Sequence, residues 1–448
     1  MQTFKKFNHL ITFYLPKNQN MKILILGSGG REHALTWNIQ QHSNGRDEVF
    51  VAPGNPGTAL CGTNINLSIT DFEGIGKFCL ENLIEMVIAG PEEPLVKGAC
   101  DFFKKNDSLK HIHFIGPSQF GAQLEGSKAF AKAFMQRHHI PTAAYQEFTE
   151  ENFEEGIQYL QNHALPIVLK ADGLAAGKGV VICQSHKEAI EEFGAMIQQA
   201  KFGDAGKKVV VEQFLDGIEL SVFVLTDGKD YVLLPEAKDY KRIGEKDTGL
   251  NTGGMGAVSP VPFANDAFMQ KIINRIIKPT VDGLHKENID YTGFIFFGLI
   301  KVNEEPYVIE YNCRMGDPET EVVMPRLQTN IADLCLAAAQ NRLHEMSTQT
   351  DSRTAVTMMA VSGGYPGNFE KGFKIMFPPA SSIPEGSIIF QAGTKMCEQQ
   401  VVTNGGRVLC VTSFAENVAE AASRSKSVLQ QTKFDGMYYR SDIGWEFM

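Results

Sequence analysis

From position 21 onward the chain alternates short apolar runs with stretches in which apolar residues recur every three or four positions. Residues 22–26 read as a strand, residues from about 32 to 41 as a helix, and residues 49–52 as a second strand. A loop, a helix and a third strand at 86–89 follow. Strands that alternate with helices predict a parallel sheet with crossover helices. Three loops leave the carboxyl ends of its strands, where open sheets bind ligands: Gly27-Ser28-Gly29-Gly30, Pro53-Gly54-Asn55-Pro56-Gly57 and Gly90-Pro91-Glu92-Glu93-Pro94.

The turn-rich Gly116-Pro117-Ser118 marks a first boundary, and Glu125-Gly126-Ser127-Lys128 opens the helix of a new unit. Strands at 166–170, 180–184 and 208–214, with a Gly/Ala loop at 172–179 and a helix at 186–200, form a small mixed lid. Strands around 220–225, 231–234, 292–302 and 306–311 supply a catalytic platform. A polar stretch at 344–352 precedes a last region of strands and turns, in which residues 401–409 read as a hairpin about Asn404-Gly405. The expected class is a multidomain α/β and α+β protein. Its units are a parallel-sheet domain at 21–122, a unit at 123–345 whose lid covers about 142–208, and a small mixed domain at 350–448.

At 448 residues the chain is too long for one core, and length alone suggests about three domains. A formal charge of −10, with both signs interspersed, argues against binding to nucleic acid or to an anionic membrane and favours small-molecule chemistry. The eight cysteines (61, 79, 100, 183, 313, 335, 397 and 410) form no C-x-x-C pair and are expected to be reduced and mostly buried in a cytoplasmic protein. No apolar run reaches the roughly 18 residues of a membrane span. Residues 1–20 hold Lys5, Lys6 and Lys17 around a short apolar patch, without arginine or a small-residue cleavage site, and read as a disordered leader or a mis-assigned start.

The densest chemistry lies between Tyr307 and Glu319. Period-two alternation turns Glu310 and Asn312 to one side of a strand, and Ile309 and Tyr311 to the other. Magnesium takes oxygens from one or two protein groups and fills its shell with water and substrate phosphates, so Glu310 and Asn312 are candidate ligands, with Arg314 beside the phosphates. Asp317 as N-cap and Pro318 at the first helical position predict a helix start. Alone, Glu310 and Arg314 would read as a surface ion pair, but other segments also point to phosphate.

The first glycine loop lacks the third glycine of G-x-G-x-x-G, because position 32 is Glu, and the second strand does not end in the acid that holds an adenosine ribose. These features argue against NAD. Bare amides at Gly29 and Gly30, followed by Arg31-Glu32-His33 at a helix start, suit a single phosphate group. The segment from Lys170 to Gly179 differs from a P-loop in its glycine spacing and in lying between two strands. Such a glycine hairpin can fold over a triphosphate, with Lys170 or Lys178 neutralising charge. The backbone after Glu212 can pair with adenine, and a carboxylate such as Glu219 can hold ribose hydroxyls. Asn251-Thr252-Gly253-Gly254-Met255-Gly256, which follows Asp239-Tyr240-Lys241-Arg242, is a loop whose glycines allow close backbone approach to a ligand.

The chain carries GSGGREHAL, VAPGNPGT, GPEEPLVKG, QLEGSKAF, LKADGLAAGKGV, NTGGMGA, IEYNCRMGDPET and VTNGGRVL in this order. From Met21 almost to Met448 it resembles the phosphoribosylamine-glycine ligases, or glycinamide ribonucleotide synthetases, of the ATP-grasp superfamily. The resemblance implies a pre-ATP-grasp N-terminal domain and an ATP-grasp lid and platform. It also implies that ATP with magnesium or manganese activates glycine as an acyl phosphate. The amine of 5-phosphoribosylamine would attack this to give glycinamide ribonucleotide, ADP and phosphate in purine biosynthesis.

By the same carry-over, magnesium would sit at Glu310 and Asn312 and the nucleotide at Lys128, Lys170, Glu212 and Glu219, with Lys178 on the same loop. Gly29, Gly30, Arg31, Glu32, Gly54, Asn55 and Glu92 would surround the phosphoribosyl substrate, and Asp239 and Arg314 would also meet substrate. Arg314 is the expected stabiliser of transferred charge. No residue need act as a covalent nucleophile, because the substrates supply carboxylate and amine. The expected partners are small molecules, with a transient contact to the enzyme supplying phosphoribosylamine, and the expected state is a monomer or weak dimer. Two positions depart from the pattern. Residues 294–300 lack the second metal-binding acid of many ATP-grasp enzymes, and Tyr240 stands where a histidine often follows the aspartate. The alternatives are another ATP-grasp ligase or carboxylase, against which the N-terminal loops weigh, and a nucleotide sensor without chemistry, against which Glu310, Asn312 and Arg314 weigh.

Overall fold

The computed structural model describes residues 20–173, 179–199, 201 and 203–448. The expectations for residues 1–19 and for Lys178 lie outside them. The N-terminal sheet contains β1 (Lys22–Gly27), β2 (Glu48–Pro53), β3 (Thr63–Asn64), β4 (Met86–Ala89) and β5 (His113–Ile115), all parallel in the order β3-β2-β1-β4-β5. Alternate residues of β1 feed two cores. Ile23 and Ile25 pack with Val323 and Phe390, while Leu24 and Leu26 join Phe103 and Phe297. Burial on both faces explains the unbroken apolar run of this strand.

The lid is an antiparallel sheet of β6 (Tyr145–Thr149), β7 (Ile167–Ala171), β8 (Val180–Cys183) and β9 (Lys208–Gln213), ordered β6-β9-β7-β8. It has its own small core, built on Phe148, Leu160, Phe193 and Val211. The platform contains β10 (Ile218–Thr226), β11 (Tyr231–Leu233), β16 (Gly293–Val302) and β17 (Glu305–Asn312), in the order β11-β10-β16-β17. A further sheet combines β12 (Lys238–Asp239) and β15 (Gly256–Ser259) with β18 (Thr354–Val361), β19 (Ser387–Gln391) and β22 (Arg407–Ala415). Its order, β12-β15-β18-β22-β19, joins strands far apart in sequence. Two hairpins complete the strands, β13 (Arg242–Gly244) with β14 (Thr248–Asn251) and β20 (Thr394–Cys397) with β21 (Gln400–Thr403). Among the described residues no helix is long and apolar enough to cross a membrane. The eight cysteines are free.

Three local expectations change. Gly298 pairs with Glu310 but Leu299 pairs with Val308, so β17 carries a bulge at Ile309. Val308 therefore joins Tyr311 in the core and Ile309 does not, while Glu310 and Asn312 keep a common side. The helix expected after Asp317-Pro318 begins at Thr320 with Glu319 as its N-cap residue, because the Asp317 carboxylate is engaged by Arg407 instead of by the helix. Residues 401–409 do not form a hairpin either. Here β21 turns back on β20 through Glu398 and Gln399, whose φ values of 47° and 65° suit a two-residue turn, and Asn404-Gly405 carries the chain into another sheet.

Candidate active site

The first two glycine loops meet at the carboxyl ends of β1 and β2. Gly29 precedes the helix Gly30–Ser43, and the Glu32 carboxylate reaches back to accept the Gly29 amide at 2.6 Å. Its other oxygen accepts Arg31 Nε at 2.6 Å, and Arg31 Nη1 donates to the carbonyl of Met315 at 3.3 Å. Burial works against the Arg31 charge, but Glu32, Asp317 and Glu92 outweigh it, so the guanidinium stays firmly protonated. Asn55 Nδ2 donates to the carbonyls of Ser28 at 2.8 Å and Gln391 at 2.9 Å, tying the two loops to the C-terminal region. Gly54, at φ 70°, is required twice, since a Cβ there would also stand 2.2 Å from Asn64 Oδ1. Between the loops lies a cleft of about 340 Å³, lined by Gly27, Ser28, Gly29, Arg31, Pro53 and Pro91. The sequence expectation thus brings Gly29, Gly30, Arg31, Glu32, Gly54 and Asn55 into one neighbourhood.

On the lid side, Lys170 Nζ lies 3.0 Å from Glu212 Oε2 and donates to the carbonyl of Ile309 at 3.2 Å. Lys132, which drew no attention in the sequence, lies 3.1 Å from the same Glu212 oxygen and donates to Thr142 Oγ1 at 2.7 Å. Burial lowers the Lys132 ammonium to about 8, with Glu212 opposing it. Glu212 Oε1 is buried without a hydrogen-bond partner among the described residues, so an acceptor is left for a ligand. Lys128 Nζ donates to the carbonyl of Gly173 at 2.9 Å and lies near Glu310. Burial lowers the Lys128 ammonium, again against Glu310. Glu219 accepts Lys241 Nζ at 2.6 Å, and Lys241 overcomes burial to hold this carboxyl below its usual range.

The platform joins these two halves. Arg314 Nη2 lies 2.8 Å from Glu125 Oε1, and its Nε lies 3.4 Å from Glu92 Oε2. Beyond this ion pair, that buried Nε makes no hydrogen bond among the described residues. Glu125 also accepts the Cys313 amide at 2.8 Å, and burial raises its carboxyl. Burial, and then the neighbouring Glu319, hold Asp239 well above the usual carboxylate range, and burial raises Glu319 as well. Among the described residues Asp239 Oδ1 has no hydrogen-bond partner, whereas Glu319 Oε1 accepts Ser221 Oγ at 2.9 Å.

The donor set at Glu310 and Asn312 is one carboxylate and one amide oxygen on a common side of β17, opposite Gly298 and Phe296. It suits a hard cation that completes its shell with water and phosphate. Among the described residues no cluster of three or more His, Cys, Asp or Glu could hold a metal unaided.

Sequence reasoning missed Lys132, Glu125, Lys241, Glu319 and Arg407. Lys132 and Lys241 each stand close in sequence to a residue already singled out, but the other three become meaningful only through partners distant in the chain.

The family model for the N domain of phosphoribosylglycinamide synthetase matches residues 21–125, that for its ATP-grasp (A) domain residues 126–320, and that for its C domain residues 355–446. The chain belongs to the phosphoribosylglycinamide synthetase family. A phosphoribosylamine–glycine ligase of Vibrio parahaemolyticus is 46% identical over 428 residues, spanning 95% of this chain and 98% of that protein. The Escherichia coli ligase is 46% identical over 429 residues, with the same coverage. The crystal structure of the Thermotoga maritima ligase superposes with a TM-score of 0.81 at 35% identity, covering 94% of this chain and all of that one. Biotin carboxylase from Campylobacter jejuni, at 16% identity and a TM-score of 0.69, shares the fold. This ligase therefore has an ATP-grasp fold and carries out ATP-dependent ligation of glycine in purine biosynthesis.

Proposed function

We propose that the cleft between the N-terminal loops and β17 joins glycine to 5-phosphoribosylamine through glycyl phosphate, releasing ADP and phosphate. The observation that carries this assignment is Arg314. Its Nε pairs with Glu92 of the phosphoribosyl loops at 3.4 Å, and Arg314 follows the strand end bearing Glu310 and Asn312. Glycine carboxylate attacks the γ-phosphorus of ATP, the bond to the β-phosphate oxygen breaks, and ADP leaves with the electron pair. The sugar amine then attacks the glycyl carbonyl, phosphate departs, and the nitrogen loses a proton. Anions crowd together in the first step, and Arg314 offsets their charge.

Lys128, Lys170 and Lys178 neutralise the triphosphate, the backbone after Glu212 meets adenine, and Glu219 holds the ribose. Glu310 and Asn312 hold magnesium, or manganese in its place, which supplies further charge for phosphoryl transfer. Gly29, Gly30, Arg31, Glu32, Gly54, Asn55 and Glu92 surround the phosphoribosyl group. Asp239 beside Glu319 supports a seat for the glycine ammonium, since a cation relieves two buried carboxyls that cannot both ionise alone. The lid closes over glycyl phosphate and keeps water from it.

In this reading residues 21–122 carry the phosphoribosyl site, 123–345 the nucleotide site with its lid at about 142–208, and 350–448 the supporting region. The reaction runs in the cytoplasm, on a monomer or weak dimer that briefly meets the enzyme supplying phosphoribosylamine. The test is ADP formation by the full chain with magnesium and ATP, adding glycine and phosphoribosylamine separately and together. ADP that depends on both, with matching glycinamide ribonucleotide by mass spectrometry, is the expected result. Turnover with a different acid or amine would overturn the substrate assignment.

A further inference from the structure

The segment bearing Asp239 and Lys241 is gripped from behind by the C-terminal end of the chain. Along Lys238-Asp239-Tyr240-Lys241 the side chains alternate, so Asp239 and Lys241 face the site while Lys238 and Tyr240 face away. Tyr240 is buried, and its hydroxyl donates to Glu446 Oε2 at 2.7 Å. Lys238 Nζ pairs with the other Glu446 oxygen at 2.8 Å and stands 4.1 Å from the centre of the Tyr240 ring. The Arg440 guanidinium, wholly buried, lies 5.4 Å from the same ring centre. Arg440 also bonds Asp247 at 2.7 Å and both oxygens of Asp442, and Asp442 accepts the Lys246 amide at 2.6 Å. Residues 440–446 thus hold the segment at both ends. In front, β12 is only two residues long, Tyr240 adds two backbone bonds, to Gly256 and Met255, and the Lys241 carbonyl accepts the Thr252 amide and hydroxyl. These bonds fix the backbone in front, and the grip from behind sets the tilt of the strand that aims the Lys241 side chain at Glu219.

We propose that residues 440–446 form a strap in which Glu446, acting through Tyr240, fixes Lys241 against Glu219 and so sets nucleotide affinity. Glu446 and Tyr240 are positioning residues. The proposal rests on reading Glu219 as the ribose-holding carboxylate of the nucleotide site, and adds Lys241 as the partner that orients it. It also gives Tyr240 a task suited to its own chemistry, as a neutral phenol whose ring lies between two cations and whose hydroxyl meets a carboxylate.

The test is MgADP affinity by titration calorimetry on the full chain, with thermal unfolding as a control. Glu446→Ala and Tyr240→Phe are each expected to weaken MgADP about tenfold, as loss of a hydrogen bond to a charged group would. Glu446→Gln, which keeps the acceptor for Tyr240, is expected to restore most of the affinity, and KM for phosphoribosylamine is expected to stay unchanged. Glu446→Ala added to Lys241→Met is expected to cost nothing beyond Lys241→Met alone. Native affinity in both Glu446→Ala and Tyr240→Phe, beside weakened Lys241→Met, would overturn the strap alone. A Glu446→Ala loss that persists in full without Lys241 would overturn it too. Native affinity in Lys241→Met would overturn the strap while leaving the nucleotide site standing, whereas native affinity in Glu219→Gln would remove Glu219 from that site and overturn both readings.

Discussion

Arg407 Nη2 meets Asp317 Oδ1 at 2.9 Å, so a side chain from the last region of the chain holds the segment that follows Glu310 and Asn312. Its Nη1 donates to the carbonyls of Asp317 and Gly253, binding two loops at once. Burial, and then Asp317, raise the carboxyl of Glu321, and Arg407 opposes that rise. Arg407→Met leaves the two acids side by side, and is expected to cost about 1–3 kcal/mol of stability, below what removal of one partner from a fully buried ion pair costs, because this pair is half-buried. Urea unfolding checks this. Arg407→Lys is expected to recover only part of the loss, because an ammonium cannot span the same acceptors.

Glu310→Gln should leave the fold intact while lowering turnover by orders of magnitude, because the charge contributed by a metal is worth several kcal/mol. The comparison is kcat for ADP release against ADP affinity measured without divalent metal. Unchanged kcat would remove Glu310 from the metal site.

His33 predicts the acid limb of stability. Burial lowers its imidazole from 6.5 to about 4, and its Nδ1 accepts the Gln391 amide at 2.9 Å, which a protonated Nδ1 could not do. Between these two values the unfolded chain binds a proton that the folded one refuses, so stability falls as pH falls. From pH 7 to pH 5 the loss from this one group is about 2 kcal/mol. His33→Gln keeps an acceptor without the titration, and its unfolding midpoint should lose that part of the pH dependence.

A Cβ at Gly30 would lie 2.2 Å from Glu321 Oε1, and among the described residues both oxygens of that buried carboxyl lack hydrogen-bond partners. Gly30→Ala is expected to destabilise the protein by about 1–3 kcal/mol through overpacking. Truncating the obstacle should relieve it, so Gly30→Ala with Glu321→Ala should melt above Gly30→Ala alone. Strictly additive effects would show that the two positions do not compete for space.

The parallel sheet and its loops were legible because the information is local. The apolar run at residues 22–26 and the glycines after it need no distant partner to be read. Glu310 and Asn312 kept their common side even though the alternation failed at Ile309, because the bulge falls before both. Asp317 misled for the opposite reason. As a short acid before proline it looked like a cap, and only the arrival of Arg407 decides otherwise. Asn404-Gly405 suits a tight turn, but β21 pairs with β20 and β22 with β18 and β19, so tertiary pairing overrode it. Glu125 drew no attention because its partners Arg314 and Cys313 lie far along the chain.

The short strand β15 belongs by sequence to the middle of the chain but is paired with β18. A growing polypeptide can complete its N-terminal sheet early, yet β15 has an unfilled edge until residues beyond 354 leave the ribosome. Asp239 and Tyr240 hang on that strand, so the catalytic cleft can assemble only near the end of synthesis. A chain broken off before β18 would retain a folded lid, and would be an inactive protein with an exposed sheet edge open to self-association.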